Sequence, residues 1–217
     1  MKRSIYIASG LGADERVFRF LDFGNYDVHF IEWIPISPEL TIQEYATQLI
    51  PQIKDEHSIL IGLSFGGIIS IEIAKQIPTK KVIIISSVKN KKEIPFYYRW
   101  IGKLNLHNII PTKLLHTPNI VSDYFFGVID SLEKEIFHQI LLETDPVFLK
   151  WAIDKIIKWE NTSYPSNLYH IHGTKDRILP VYSTNPDIKI EGGGHLMIMS
   201  HSEEIMKILN AELDNVD

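Results

Sequence analysis

The chain has 217 residues, 45% hydrophobic and 23% charged, an ordinary globular composition long enough for one substantial core. Its formal net charge of −5 offers no basic field for nucleic acid or an anionic membrane surface, so neither is an expected partner. The absence of cysteine excludes disulfides, thiolate metal sites and cysteine nucleophiles.

The amino end, MKRSIYIASG, has the basic start of a signal peptide, but Ala8, Ser9 and Gly10 break its apolar run well short of the ~7–15 residues of an h-region. It reads as a first strand over 4–8, and the protein as cytoplasmic. No apolar stretch approaches the ~18 residues of a membrane span. Ser9-Gly10-Leu11-Gly12-Ala13-Asp14 follows as a glycine-containing loop, with Asp14 capping a short helix through Phe20 and Leu21. A second strand is predicted over 28–34, closed by Pro35 and Pro38. Thr41 and Glu44 form a capping-box pattern that opens a helix through Ile42, Tyr45, Leu49 and Ile53, kinked at Pro51.

The apolar run at 59–61 predicts a buried parallel strand, and Ile69, Ile73 and Ile77 at four-residue spacing predict a helix after Gly67. The β-branched residues of 68–73 favour a strand by propensity alone, but the glycine pattern and the length outweigh them. The helix is expected to be buried on most sides, with Glu72, Lys75 and Gln76 as its wet stripe. Another apolar strand is expected over 81–86. From 89 to 164 no strand is predicted and aromatics are dense, among them Phe96, Tyr97, Tyr98, Trp100, Tyr124 and Phe125. Two amphipathic helices stand out there. Asp130 and Glu133 cap one, with Leu132, Ile136, Ile140 and Leu141 on its apolar face; Asp145-Pro146 opens the other, with Phe148, Ala152, Ile156 and Trp159. Strands over 167–172 and 187–191 then resume the rhythm. A terminal helix, capped by Ser200 and Glu203, turns Ile205, Leu209 and Leu213 inward.

Alternating strands and helices imply an α/β protein with a doubly wound, mostly parallel sheet covered on both faces. A helical lid is inserted between the strand ending near Ser86 and the strand near Asn167. The expected division is a core of 1–88 and 165–217 and a cap of 89–164.

Ser64 sits where strand meets helix, within Gly62-Leu63-Ser64-Phe65-Gly66-Gly67. So sharp a turn strains the residue at its tip and leaves no room for side chains at 62, 66 and 67. It also holds a hydroxyl at the carboxyl edge of the sheet beside a helix N-terminus. A serine hydroxyl is a weak nucleophile and needs a base, oriented in turn by a third group. Asp176 and His195 lie in loops after later strands, at the same edge. The histidine has competitors in His170, His172 and His201. Three glycines before His195 let its loop approach Ser64, whereas His201 lies at the start of the last helix. His170-x-His172 could suggest a metal, but without a third ligand at metal-site spacing the pair reads as core or loop-supporting, and no metal is expected.

With GLSFGG at the elbow, HGTKDRILP carrying an acid and GGGHLMIM a histidine, in the order Ser, Asp, His, nearly the whole chain resembles a small α/β-hydrolase. In some relatives the acid follows the earlier strand. Here that strand runs into Ser86-Ser87-Val88-Lys89-Asn90 with no carboxylate before Glu93, which favours Asp176. The resemblance implies two oxyanion donors, worth on the order of 3–4 kcal/mol each: the N–H of Phe65 and that of Leu11. Ser9 stands where the family usually carries a histidine, a departure that bears on loop geometry more than on chemistry. The implied activity is hydrolysis of a small-molecule carboxylic ester or thioester through an acyl-enzyme on Ser64, by a monomer or homodimer without a cofactor. A lyase, a cofactor-free oxidoreductase and a ligand-binding relative without turnover are the alternatives on the same fold.

Overall fold

The computed structural model describes residues 3–105 and 116–215. Among them, β1 (Ser4–Ala8), β2 (Asp27–Phe30), β3 (Ser58–Leu63), β4 (Thr79–Ile85), β5 (Leu168–Gly173) and β6 (Ile188–Ile190) form one parallel sheet in the order β2-β1-β3-β4-β5-β6. Parallel strands covered on both faces read as continuous apolar runs, and every residue of β3 is buried. Alternation along the strands divides the interior. Ile5, Ile7, Ile59, Ile61 and Ile83 pack with α1 (Glu15–Phe18), α8 (Met197–Ser200) and α9 (Ser202–Asp214). Tyr6, Ala8, Leu60, Val82 and Ile84 pack with α2 (Ile42–Leu49) and α3 (Phe65–Ala74) on the opposite face. Because β2 and β3 flank β1 on opposite sides, the strand order reverses between β1 and β3. Such a switch point opens a crevice at the carboxyl ends of the strands.

Between β4 and β5 lie α4 (Phe96–Lys103), α5 (Ile120–Phe126), α6 (Ser131–Glu143) and α7 (Pro146–Ile157), with no strand among the described residues; 106–115 of the expected cap lie outside them. Asp130 and Asp145 cap α6 and α7 through the N–H groups of Leu132 and Val147. Ile136, Phe137, Ile140 and Leu141 of α6 join one core, and Phe148, Trp151 and Ala152 of α7 join the other. The two helices therefore straddle the carboxyl edge of the sheet.

Several elements depart from the sequence expectation for local reasons. The second strand stops at Phe30, and Ile31 N–H still bonds Ile7 O at 2.8 Å. Beyond that point β1 turns into its loop, and Ile34 pairs with the Tyr45 hydroxyl instead. Pro51 ends α2 instead of kinking it: the helix stops at Leu49 and a 3₁₀ turn, Ile50–Gln52, follows. Ser200 does not cap the last helix. It closes α8, and its hydroxyl pairs with the His201 ring. Leu132 is exposed. Glu72, expected in the wet stripe, is buried, and its carboxylate accepts from Trp159 Nε1 and Lys75 Nζ, both at 2.9 Å. A donor arriving from 87 residues away covers it.

Candidate active site

The turn from β3 into α3 places Ser64 at φ 51°, ψ −116°, a conformation that costs a non-glycine residue about 1–3 kcal/mol. Its neighbours fix it there. Ser64 N–H bonds Ile85 O at 2.9 Å, and Ser64 O accepts from the Ser87 hydroxyl at 2.7 Å and from Gly67 N–H at 2.9 Å. The flanking glycines are demanded by close approach: a Cβ at Gly62 would fall 2.4 Å from Gly66 O, and one at Gly66 would fall 2.0 Å from Ala8 O. Backbone thus packs on backbone where the elbow meets the end of β1.

Ser64, Asp176 and His195 are brought together. His195 Nε2 is 2.9 Å from Ser64 Oγ, and His195 Nδ1 is 2.7 Å from Asp176 Oδ2. The imidazole and the carboxylate are both buried. Asp176 Oδ1 accepts from the N–H groups of Ile178 and Leu179 at 2.9 and 2.8 Å, so the carboxylate is fixed from the far side as well. Burial pushes the Asp176 carboxyl up. The charge and hydrogen bond of His195, the neighbouring His172 and the Leu179 amide together outweigh it, and the group lies below the ordinary carboxylate value. An ionised Asp176 accepts a hydrogen bond from Nδ1–H, which leaves Nε2 with the lone pair that the Ser64 hydroxyl needs.

His170 and His172 lie behind this chain, fully buried in β5. His172 Nε2 is 2.7 Å from Leu179 O, an acceptor only, so that nitrogen carries the proton, and Nδ1 accepts from His170 Nε2 at 3.0 Å. His172 Nε2 also lies 3.5 Å from Asp176 Oδ2. Burial first, and for His170 also its companion ring, pushes both imidazoles below their ordinary value, so the pair is neutral. It braces the loop that carries Asp176.

Phe65 follows Ser64 in the chain, and the turn that carries Leu11 approaches Ser64 through Gly10. Phe65 opens α3, so its N–H has no intrahelical acceptor. Leu11 is the second residue of a tight turn closed by Ala13 N–H to Gly10 O at 3.3 Å, with φ 67° at Gly12, the geometry that favours glycine at its third position. Gly10 lies so close that a Cβ there would meet Ser64 Cβ at 3.1 Å. The Trp33 and Phe148 rings pack on Phe65 with centroids 5.5 and 6.1 Å away. A cavity of about 530 Å³ lies between that wall and the Gly10-Leu11 turn.

Sequence reasoning missed two supports. One is Ser87, whose residue type and position gave no sign of its bond to Ser64. The other is the end of α5: Phe126 O accepts from Leu196 N–H at 3.0 Å, the Phe126 ring meets the His195 ring edge-on at 5.6 Å, and Arg177 Nη1 donates to Tyr124 O at 2.7 Å. Both loops, the one carrying Asp176 and the one carrying His195, are tied to this helix. No local pattern in the sequence marks such a contact.

No protein-family model and no curated protein matches the chain. Solved structures do. A lipase candidate, lip1, from Acinetobacter baumannii AYE superposes with a TM-score of 0.75 at 15% identity, covering 99% of this chain and 84% of that one. The chain has the α/β-hydrolase fold. A bromoperoxidase from Bacillus anthracis superposes with a TM-score of 0.69 at 16% identity, over 99% of this chain and 93% of that one. An enol-lactonase from Burkholderia xenovorans LB400 gives a TM-score of 0.66 at 14% identity, over 99% and 92%. At these identities the likeness speaks for the fold; chemistry has to be argued from the site.

Proposed function

We propose that the protein is a serine hydrolase that cleaves a small-molecule carboxylic ester or thioester through an acyl-enzyme on Ser64. The observation that carries this reading is the continuous chain from Ser64 Oγ through His195 to Asp176, with distances of 2.9 and 2.7 Å. Ser64 Oγ attacks the carbonyl carbon while His195 Nε2 takes its proton, and Asp176 stabilises the imidazolium without accepting that proton. The N–H groups of Phe65 and Leu11 receive the developing oxyanion. Collapse of the tetrahedral species expels the alcohol or thiol, protonated by His195. A water then loses its proton to the same nitrogen, attacks the acyl carbon and frees Ser64.

The segment 89–164 caps the site on this reading, and its α5 end holds the two loops that carry acid and base. Among the described residues no helix is long and apolar enough to cross a membrane. A cytoplasmic setting remains the proposal of the sequence. The test is turnover of nitrophenyl esters from acetate to laurate beside acyl-thioesters and a peptide amide. Wild type is expected to cleave esters or thioesters, and Ser64→Ala and His195→Ala to lose at least about 10³-fold in kcat. Equal turnover by Ser64→Ala would end the proposal.

A further inference from the structure

The cavity bordered by Gly10, the residue that lies against Ser64, has two unlike parts. Leu11, Trp33, Ile34, Ile36, Ile140 and Phe148 give it an apolar wall, whereas its charged lining consists of Asp14, Arg16, Glu143 and Asp145. The guanidinium among them is already engaged. Arg16 Nε lies 3.0 and 2.9 Å from the two oxygens of Asp14, and Nη2 lies 2.6 Å from Asp14 Oδ2 and 2.5 Å from Glu143 Oε2. Asp145 spends one oxygen on the Val147 N–H. Three carboxylates against one guanidinium leave the rim anionic, and the single cation has its donor fork turned toward the protein's own acids.

The geometry points to a substrate whose substituent on the reacting carbonyl, acyl or alcohol side, is neutral and apolar, with the Asp14-Glu143-Asp145 rim as the specificity element that turns away a terminal carboxylate. This rests on the hydrolase reading and extends it to a substrate class. The substituent enters from the Gly10-Leu11 turn, runs along Trp33 and Phe148, and ends near the rim. Burying an aliphatic or aromatic group there removes apolar surface from water, whereas a carboxylate meets like charge. Arg16 is already paired with Asp14 and Glu143 through Nε and Nη2, so its charge is largely offset before a ligand carboxylate arrives.

The test compares kcat/KM for matched pairs, one member ending in methyl and the other in carboxylate. One pair varies the acyl side, nitrophenyl pentanoate against the nitrophenyl half-ester of glutaric acid. The other varies the alcohol side, butyl acetate against 4-acetoxybutanoate. At low ionic strength the neutral member is expected to win by about tenfold in at least one pair. The ratio should shrink toward one with added salt at about 0.5 M, and in Glu143→Gln/Asp145→Asn, which keeps the cap on α7. Turnover with no charge discrimination in either pair, or a preference for the carboxylate, overturns this inference alone. A ratio that neither salt nor the double substitution moves also overturns it. Failure to turn over any ester overturns the hydrolase reading and this inference with it.

Discussion

Two apolar helices reach the site and are held in opposite ways. In α3 every residue from Phe65 to Ile73 is buried, as expected of a helix apolar on all sides that is clasped between sheet and α2. In α5 no residue is buried; Ile120 is 86% exposed, Val121 62% and Tyr124 58%. Its middle is paired with α6 through Asp123 Oδ1 and His138 Nε2, 2.6 Å apart, and its carboxyl end is fastened by the bonds from Arg177 and Leu196 and by the Phe126 ring against Phe137 and His195. The hydroxyl of Ser64 is thus placed by the main core, while the loops of its partners lean on a surface helix. A change on the first side should act on folding, and a change on the second on rate.

The strongest challenge to that contrast is Gly66→Ala. Its methyl would need the space of Ala8 O, 2.0 Å away, in a place where neither backbone can yield. A loss of at least about 3 kcal/mol, or no soluble protein, is expected in urea denaturation. Stability within about 0.5 kcal/mol of wild type would show that the elbow is looser than its packing implies.

Acidification tests the core side of the Asp176 loop. His170 and His172 are neutral and depressed in the folded protein, so the unfolded chain binds protons first as pH falls through about 6.5. Stability is therefore intact above that value and lost below it, at up to about 1.4 kcal/mol per pH unit for each histidine. Urea midpoints at pH 7.5 and 5.5 measure the slope, and His170→Leu should reduce it by about half. A slope unaltered by that substitution would contradict the account of the pair.

Trp159→Phe sharpens the contrast from the other end of α3. It keeps an aromatic ring but removes part of the indole's volume and leaves Glu72 Oε1 without its indole donor, and a loss of about 1–3 kcal/mol is expected with kcat unchanged. A fall in kcat without a fall in stability would reverse the assignment of this contact.

Arg177→Met should show the smallest change in stability, below about 1 kcal/mol, because it removes one bond to Tyr124 O and a cation–π contact at 4.0 Å on an exposed face. Its effect belongs in kcat, a loss of several-fold with little change in KM. Equal losses in stability and rate would mean that α5 is as integral as α3.

The same contrast explains what the sequence could and could not reveal. Ser64, Asp176 and His195 were legible because each follows a strand, and a parallel sheet gathers such loops at one edge. The apolar run of β3 and the glycines of the elbow likewise carry their reasons within a few residues. Glu72 was misread because a helix's own periodicity knows nothing of Trp159, and Ser87 and Phe126 escaped because their partners are contributed by other parts of the chain. The early end of β2 has the same origin: residues beyond Ile31 have strand propensity but no neighbouring strand to pair with.

In the proposed mechanism the Ser64 oxygen becomes acylated with the help of His195. Peptide mapping by mass spectrometry after brief exposure to a fluorophosphonate, followed in time, tests it most directly. The adduct is expected on Ser64 alone in wild type, absent in Ser64→Ala, and formed at least about 10²-fold more slowly in His195→Gln. Labelling at another residue, or labelling of Ser64 at the same rate without the imidazole, would contradict it.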